Sequence, residues 1–279
     1  MRQRVISSLV GLLLLAVVYL FLDTLVLNIV IGAIGVIAVL ELLSAVKCSK
    51  YRGLSVLCVA ISVTIPFAQE TAVRRIMPQL MFFYIGVFFL ILLKDHQKLR
   101  VEQASMMFFF SLFVPIFFAC AVFIRNRFGP VIGGFYLLWA LGSAWLSDTG
   151  AYFAGRAFGK HKLAPLISPK KTVEGAVGGV ITSTVFMLLF ALLFDLGMNA
   201  VGTPVRMNYL WIALFTPFFS IGGMLGDLSA SVIKRQYGVK DFGNIMPGHG
   251  GVLDRFDSVL FTLPSVFIIV EYVSVTAFL

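Results

Sequence analysis

Hydrophobic residues in this chain come in long unbroken runs, not at the spacing of an amphipathic helix or a half-buried strand. A helix crosses a bilayer with about 20 mostly apolar residues. Nine runs reach or approach that length, at 5–22, 25–46, 54–67, 79–93, 104–124, 131–147, 173–196, 209–226 and 258–278. The third and fourth are short for a straight span, so eight or ten remain alternatives. Pro115, Pro217 and Pro264 fall inside runs and read as kinks, tolerated where neighbouring helices satisfy the freed backbone. The Phe-rich stretches at 82–89 and 108–118 read as lipid-facing or helix-packing surface. Arg2 and Arg4 precede the first run as in a signal peptide, but that run can span and lacks a small-residue cleavage site, so a first helix is expected. The predicted fold class is all-α: one polytopic membrane domain, with residues 1–140 as scaffold or assembly helices and 141–279 as the catalytic half.

Composition sharpens this. Charged residues make up 13% of the chain and hydrophobic ones 59%, whereas soluble domains carry about 25% charged residues. Such a chain could not keep a surface wet. Its net charge of +9 does not point to nucleic acid, because Lys and Arg sit in short loops between runs. With the N-terminus in the cytoplasm, that side holds seventeen of them: Arg2, Arg4, Lys47, Lys50, Arg52, Lys94, Lys98, Arg100, Arg156, Lys160, Lys162, Lys170, Lys171, Lys234, Arg235, Lys240 and Arg255. The other side holds five, Arg74, Arg75, Arg125, Arg127 and Arg206. That is the positive-inside bias of an integral membrane protein, expected in a bacterial inner membrane. Cys48, Cys58 and Cys120 show no CxxC spacing, so buried thiols are expected in place of disulfides or a zinc site.

Candidate chemistry concentrates in the last third. Ser231, Lys234, Arg235, Lys240, Asp241, His249, Asp254, Arg255 and Asp257 crowd between two apolar runs, with Gly238, Gly243, Gly248, Gly250 and Gly251 among them. An ionisable residue in a span costs about 2.5–3.5 kcal/mol on insertion scales and by default marks function. Asp227, Ser231 and Lys234 would share one face if their helix continues that far. Asp254 and Asp257, three apart, would likewise share a face. Carboxylates at helix ends suit a hard divalent cation completed by triphosphate oxygens; the plain alternative is pairing with Lys234 and Arg255. Gly222 and Gly226 have the spacing that lets membrane helices approach closely.

A second constellation runs from Asp148 to Gly175. Ser168-Pro169 reads as a turn or helix start, placing Lys170, Lys171 and Thr172 near a helix N-terminus, where amides and lysines receive anions. An ordinary basic loop is the alternative. His161 reads as a solvated side chain, while His249 among glycines is better placed for phosphate. Neither GxxxxGK[ST] nor GxGxxG after a strand occurs, and no GxSxG elbow is present.

Ser231-x-x-Lys234-Arg235, Lys240-Asp241 and Pro247-x-His249-Gly250-Gly251-x-x-Asp254-Arg255-x-Asp257 resemble the C-terminal motif of the phosphatidate cytidylyltransferases, the CDP-diacylglycerol synthases, over 27 positions. Met246 stands where that motif usually has Leu, Ile or Phe. The stretch from Asp148 resembles the family too, with Lys171, Thr172 and Glu174 on its Lys-Thr-x-Glu motif. The resemblance implies that CTP and phosphatidic acid react with Mg²⁺ to give CDP-diacylglycerol and pyrophosphate. It also implies that Asp227 and Asp254 bind the metal. Lys171, Lys234, Arg235 and His249 join them as catalytic candidates. Asp148, Lys170, Thr172, Glu174, Ser231, Lys240, Asp241, Gly250, Gly251, Arg255 and Asp257 are substrate-binding candidates. A homodimer stays open. Two rivals stand beside this: a CTP-dependent polyprenol or lipid kinase, and an anionic-solute transporter, which would keep its charges nearer the midplane.

The charge count predicts that Lys170 and Lys240 face the cytoplasm and Arg125 and Arg206 the outside. A single cysteine at position 240 should resist a membrane-impermeant reagent in intact cells; strong labelling there would overturn the topology.

Overall fold

A computed structural model describes residues 2–246 and 250–278. Its helices are α1 (Arg2–Leu20), α2 (Val26–Ala45), α3 (Arg52–Thr64), α4 (Thr71–Lys94), α5 (Val101–Phe158), α6 (Val173–Ala200), α7 (Tyr209–Gln236), α8 (Leu253–Phe256) and α9 (Val259–Tyr272). Two small antiparallel sheets accompany them, β1 (Lys162–Ala164) with β2 (Ser168–Thr172) and β3 (Val205–Met207) with β4 (Thr276–Phe278). Among the described residues, α2, α4, α5, α6 and α7 are long and apolar enough to cross a bilayer. Leu9–Leu20, Arg52–Phe67 and Val259–Tyr272 are shorter apolar helices. The chain is an all-α integral membrane protein, as its hydrophobic runs predict.

Helix ends depart from the predicted spans, because hydropathy reports bilayer thickness and not where hydrogen bonding stops. The expected spans at 104–124 and 131–147 are parts of one 58-residue element, α5. A straight helix of that length would measure roughly 87 Å against a hydrocarbon core of about 30 Å. The interruption is Gly129, with φ 74° and ψ 176°. That backbone suits glycine and the residue before a proline, and Pro130 then opens the second arm at 130–158. Arg125, expected on the outer side, is buried within α5. The last predicted span, 258–278, is helical only to Tyr272, after which the β-branched sequence around Thr276 pairs with Val205–Met207.

The described residues form two compact units. The first comprises Met1–Phe123 and Gln236–Phe256. Its core includes Leu43, Leu54, Tyr84, Phe88, Met107 and Phe118. Few polar groups enter it: Asn28 Nδ2 donates to the Pro66 carbonyl at 2.9 Å, and the Tyr84 and Ser111 hydroxyls meet at 2.6 Å. The three cysteines are free and buried, as expected. Phe82, Phe83 and Phe89 are exposed while Phe88 is buried, so the Phe-rich stretch serves both surface and packing.

The second unit comprises Ile124–Arg235 and Asp257–Leu279. Trp139 Nε1 donates to Thr216 Oγ1 at 2.8 Å, Ser183 and Ser220 hydroxyls meet at 2.6 Å, and Ser220 Oγ donates to the Ser143 carbonyl at 3.3 Å. These bonds tie α5, α6 and α7 together. Small residues set the helix spacings. A Cβ at Gly150 would strike Thr182, at Gly178 Ala154, and at Gly179 Ser147. On the other side of the unit, Gly223 and Gly226 let α7 approach α9, as the Gly222/Gly226 spacing predicts.

Gly226 is the tightest of the α7–α9 approaches: a Cβ there would collide with the Asp257 carbonyl and lie 2.9 Å from the Phe261 ring. Gly226→Val should therefore cost about 1–3 kcal/mol by overpacking, read as a lower apparent melting temperature in detergent. A melting temperature equal to the parent's would show that the helices separate freely.

Candidate active site

The sequence-predicted residues fall into two clusters, one in each unit. In the second unit, four elements converge. The 130–158 arm of α5 carries Asp148, the junction of β2 and α6 carries Lys171, α7 carries Asp227, Ser231 and Lys234, and Asp257 stands just before α9. The glycine faces of α6 and α7 bring these backbones close enough for short side chains to meet.

Lys171 forms an ion pair with Asp227 Oδ2. Ser231, one turn further along α7, donates from Oγ to Asp227 Oδ1 at 3.4 Å, so the predicted shared face exists. Ser258 bridges the remaining acids: its amide donates to Asp257 Oδ1 at 2.8 Å and its hydroxyl to Asp148 Oδ2 at 3.1 Å. Asp257 is 8% exposed and Lys234 9%. Burial first, then the Asp227 charge, raise the Asp257 carboxyl to about 7, with Asp148 adding to the rise and Lys234 and the Ser258 amide opposing it.

The entry to α6 differs from expectation. Ser168–Thr172 is strand β2, not the first helical turn, and the helix starts at Val173. Pro169 is tolerated there because a two-stranded sheet has only edge strands. Thr172 is the N-cap, its hydroxyl accepting from the Gly175 amide at 3.1 Å. Glu174 accepts from the Lys160 amide at 3.0 Å and from His161 Nδ1 at 2.6 Å. His161 is solvent-exposed, as expected, yet it is partnered rather than merely solvated. Thr172 and Glu174 therefore fix the hairpin that presents Lys171. Arg235 Nε braces the same hairpin by donating to the Ile167 carbonyl at 3.2 Å. Lys170 is exposed beside it.

In the first unit the described residues 241–246 and 250–254 meet two carboxylates. Asp254 Oδ2 accepts from the Phe242 amide at 2.8 Å and the Gly251 amide at 3.0 Å. The Met246 amide donates to the Gly250 carbonyl at 3.0 Å, and Gly250 has φ 85°, a conformation open to glycine. Its Cα region abuts both Asp254 and Asp241. Glu41, from α2, accepts from the Val252 and Leu253 amides at 2.9 Å each. Sequence reasoning missed Glu41, although an acidic residue inside an apolar run was itself the signal. Lys240, Asp241 and Arg255 are exposed. His249 lies outside the described residues.

The Asp257 shift gives a stability prediction with a definite sign. Its folded value lies above the ordinary 3.8, so between about 4 and about 7 the folded state binds more protons than the unfolded one. Stability is then fullest below about 4 and declines as pH rises toward about 7. With EDTA present, denaturation between pH 5 and 7 should show this decline, and Asp257→Asn should flatten it. An unchanged slope in that variant would assign the dependence elsewhere.

Residues 2–273 match the model of the cytidylyltransferase family. The phosphatidate cytidylyltransferase of Bacillus subtilis (strain 168) is 34% identical over 283 residues, covering 98% of this chain and 99% of that one. Those of Staphylococcus haemolyticus (strain JCSC1435) and Staphylococcus saprophyticus subsp. saprophyticus are 49% and 51% identical over 130 residues, 46% of each chain. With a family model matched over nearly its whole length, the chain belongs to the cytidylyltransferase family and is a CTP-dependent nucleotidyltransferase.

Proposed function

We propose that the chain is a phosphatidate cytidylyltransferase, converting CTP and phosphatidic acid to CDP-diacylglycerol and pyrophosphate. A phosphate oxygen of the lipid attacks the α-phosphorus of CTP in line, a new P–O bond forms, and the α–β phosphoanhydride breaks to release pyrophosphate. The observation that carries this reading is the partly buried charge cluster Asp148, Lys171, Asp227, Lys234 and Asp257, in a chain whose full-length relative bears that name. Phosphoryl transfer asks little covalent work of a protein; it asks for positioning and neutralisation of charge. Lys171 and Lys234 are cations held on rigid elements for that purpose, and Arg235, Lys240 and Arg255 supply further positive charge for two anionic substrates.

The donor set suits Mg²⁺. Among the described residues no group of three or more His, Cys, Asp or Glu is arranged to hold a metal ion. Few protein ligands is the usual case for Mg²⁺, which keeps waters and substrate oxygens in its shell. Asp227 and Asp254 are the proposed ligands, on the strength of the motif and its family resemblance. A bound Mg²⁺ would supply Lewis-acid neutralisation of the triphosphate. Lys171, already paired with Asp227, then orients that carboxylate. The seventeen-to-five distribution of Lys and Arg and the bacterial relatives support a cytoplasmic membrane location with the site on the cytoplasmic side.

Purified protein given CTP, phosphatidate and Mg²⁺ should release pyrophosphate and form a CDP-lipid; CDP with a newly phosphorylated lipid would identify a kinase instead. Asp227→Asn and Asp254→Asn should each lower turnover by at least about a hundredfold. The double variant should be little worse than either single, because residues acting as a unit are non-additive. Rate against Mg²⁺ concentration decides it: single variants that keep the parent's metal dependence would overturn the shared-metal assignment.

A further inference from the structure

Glu41 has no part in the charge cluster above, and its position is unusual. It lies within α2, an apolar helix long enough to cross a bilayer, and is only 6% exposed. Both carboxylate oxygens are engaged by backbone: Oε1 accepts from Val252 and Oε2 from Leu253, each at 2.9 Å. Two glycines make room for it. A Cβ on Gly243 or on Gly251 would stand 2.7 Å from Glu41 Cδ, closer than carbon atoms approach. Neither glycine has a positive φ. Their lack of a side chain is therefore a matter of space around this carboxylate and not of backbone conformation.

We infer that Glu41 is a positioning residue that clamps the described residues around it, 241–246 and 250–254, setting the geometry of Asp241 and Asp254 from a helix some 200 residues away in sequence. The geometry favours a carboxylate. Two adjacent amides point at one side chain and each meets a different oxygen of it. A glutamine would offer one oxygen and turn its NH₂ toward the other amide, leaving a buried donor unsatisfied. Asp254 then secures the same loop from within through Phe242 and Gly251, so Gly251 is held on both sides: its amide by Asp254, its Cα by Glu41. Displacing the Glu41 carboxylate would free Val252 and Leu253 and loosen the strand of loop that orients Asp254.

The activity arm of the test rests on the proposed phosphatidate reaction; the exchange arm does not. For Glu41→Gln in detergent, amide hydrogen exchange at Val252 and Leu253 should accelerate at least about tenfold while α4 and α6 keep their protection. Turnover per folded molecule should fall at least about tenfold, mainly in kcat. Glu41→Asp, which keeps both acceptors, should recover part of both. Gly251→Ala retains every charge and should reproduce the Gln phenotype, which covers the case of a Gln variant that does not fold. In a Glu41→Ala background the same Gly251→Ala change should cost little more, since the colliding carboxylate is gone. Unchanged exchange at Val252 and Leu253 would overturn the clamp. Accelerated exchange with turnover unchanged would overturn its role in positioning. A parent protein that forms no CDP-lipid would overturn the substrate reading, and the exchange measurements would still decide the clamp.

Discussion

A carboxylate can stay inside an apolar chain only if donors meet it there, because an unpaired buried charge is far more costly than any single packing contact can offset. Most of the organisation around the candidate site follows from how this requirement is met. Glu41, Asp254 and Asp257 each accept hydrogen bonds from backbone amides. Those amides belong to the segment between Asp241 and Ser258, which has little regular structure to satisfy them. Acid and backbone solve each other's problem: the amides of Phe242, Gly251, Val252, Leu253 and Ser258 stabilise the carboxylates, and the carboxylates fix those amides.

The same economy explains the glycines. In the second unit they thin the helix faces so that α5 meets α6 and α7 meets α9 at short range, which lets aspartate and serine, with short side chains, reach one another across helices. In the first unit Gly243 and Gly251 do this against one carboxylate group. Longer acids on wider spacings could also have met, but with more rotamers to immobilise and less definite geometry.

What the sequence makes legible is what depends on local composition. The apolar runs announce a membrane protein, and the dense motif from Ser231 to Asp257 announces a phosphate-handling enzyme. The α7 face of Asp227, Ser231 and Lys234 follows from helical spacing alone. Features set by distant contact are harder to read. Ser168–Thr172 looks like a helix start because Pro and Lys are common there, yet pairing with Lys162–Ala164 makes it a strand. Thr172 and Glu174 are substrate-binding candidates on a motif, and nothing in the motif says that their hydrogen bonds cap α6 and fix the β1 entry. Glu41 is a single acid in a long apolar run, and nothing near it in sequence says that its partners lie beyond residue 250.

The division of the chain has a kinetic consequence. The first unit is discontinuous: 112 residues of the second, Ile124–Arg235, are inserted between its two parts. Glu41 must wait for Val252 and Leu253, 211 and 212 positions later. During synthesis, α2 therefore enters the membrane with a carboxylate whose donors have not yet been made, and local contacts cannot complete the fold on their own. Closure over so long a separation is a late and slow event. The loop carrying Asp254 is thus among the last parts to become ordered, and its ordering reports that both ends of the chain have been correctly inserted.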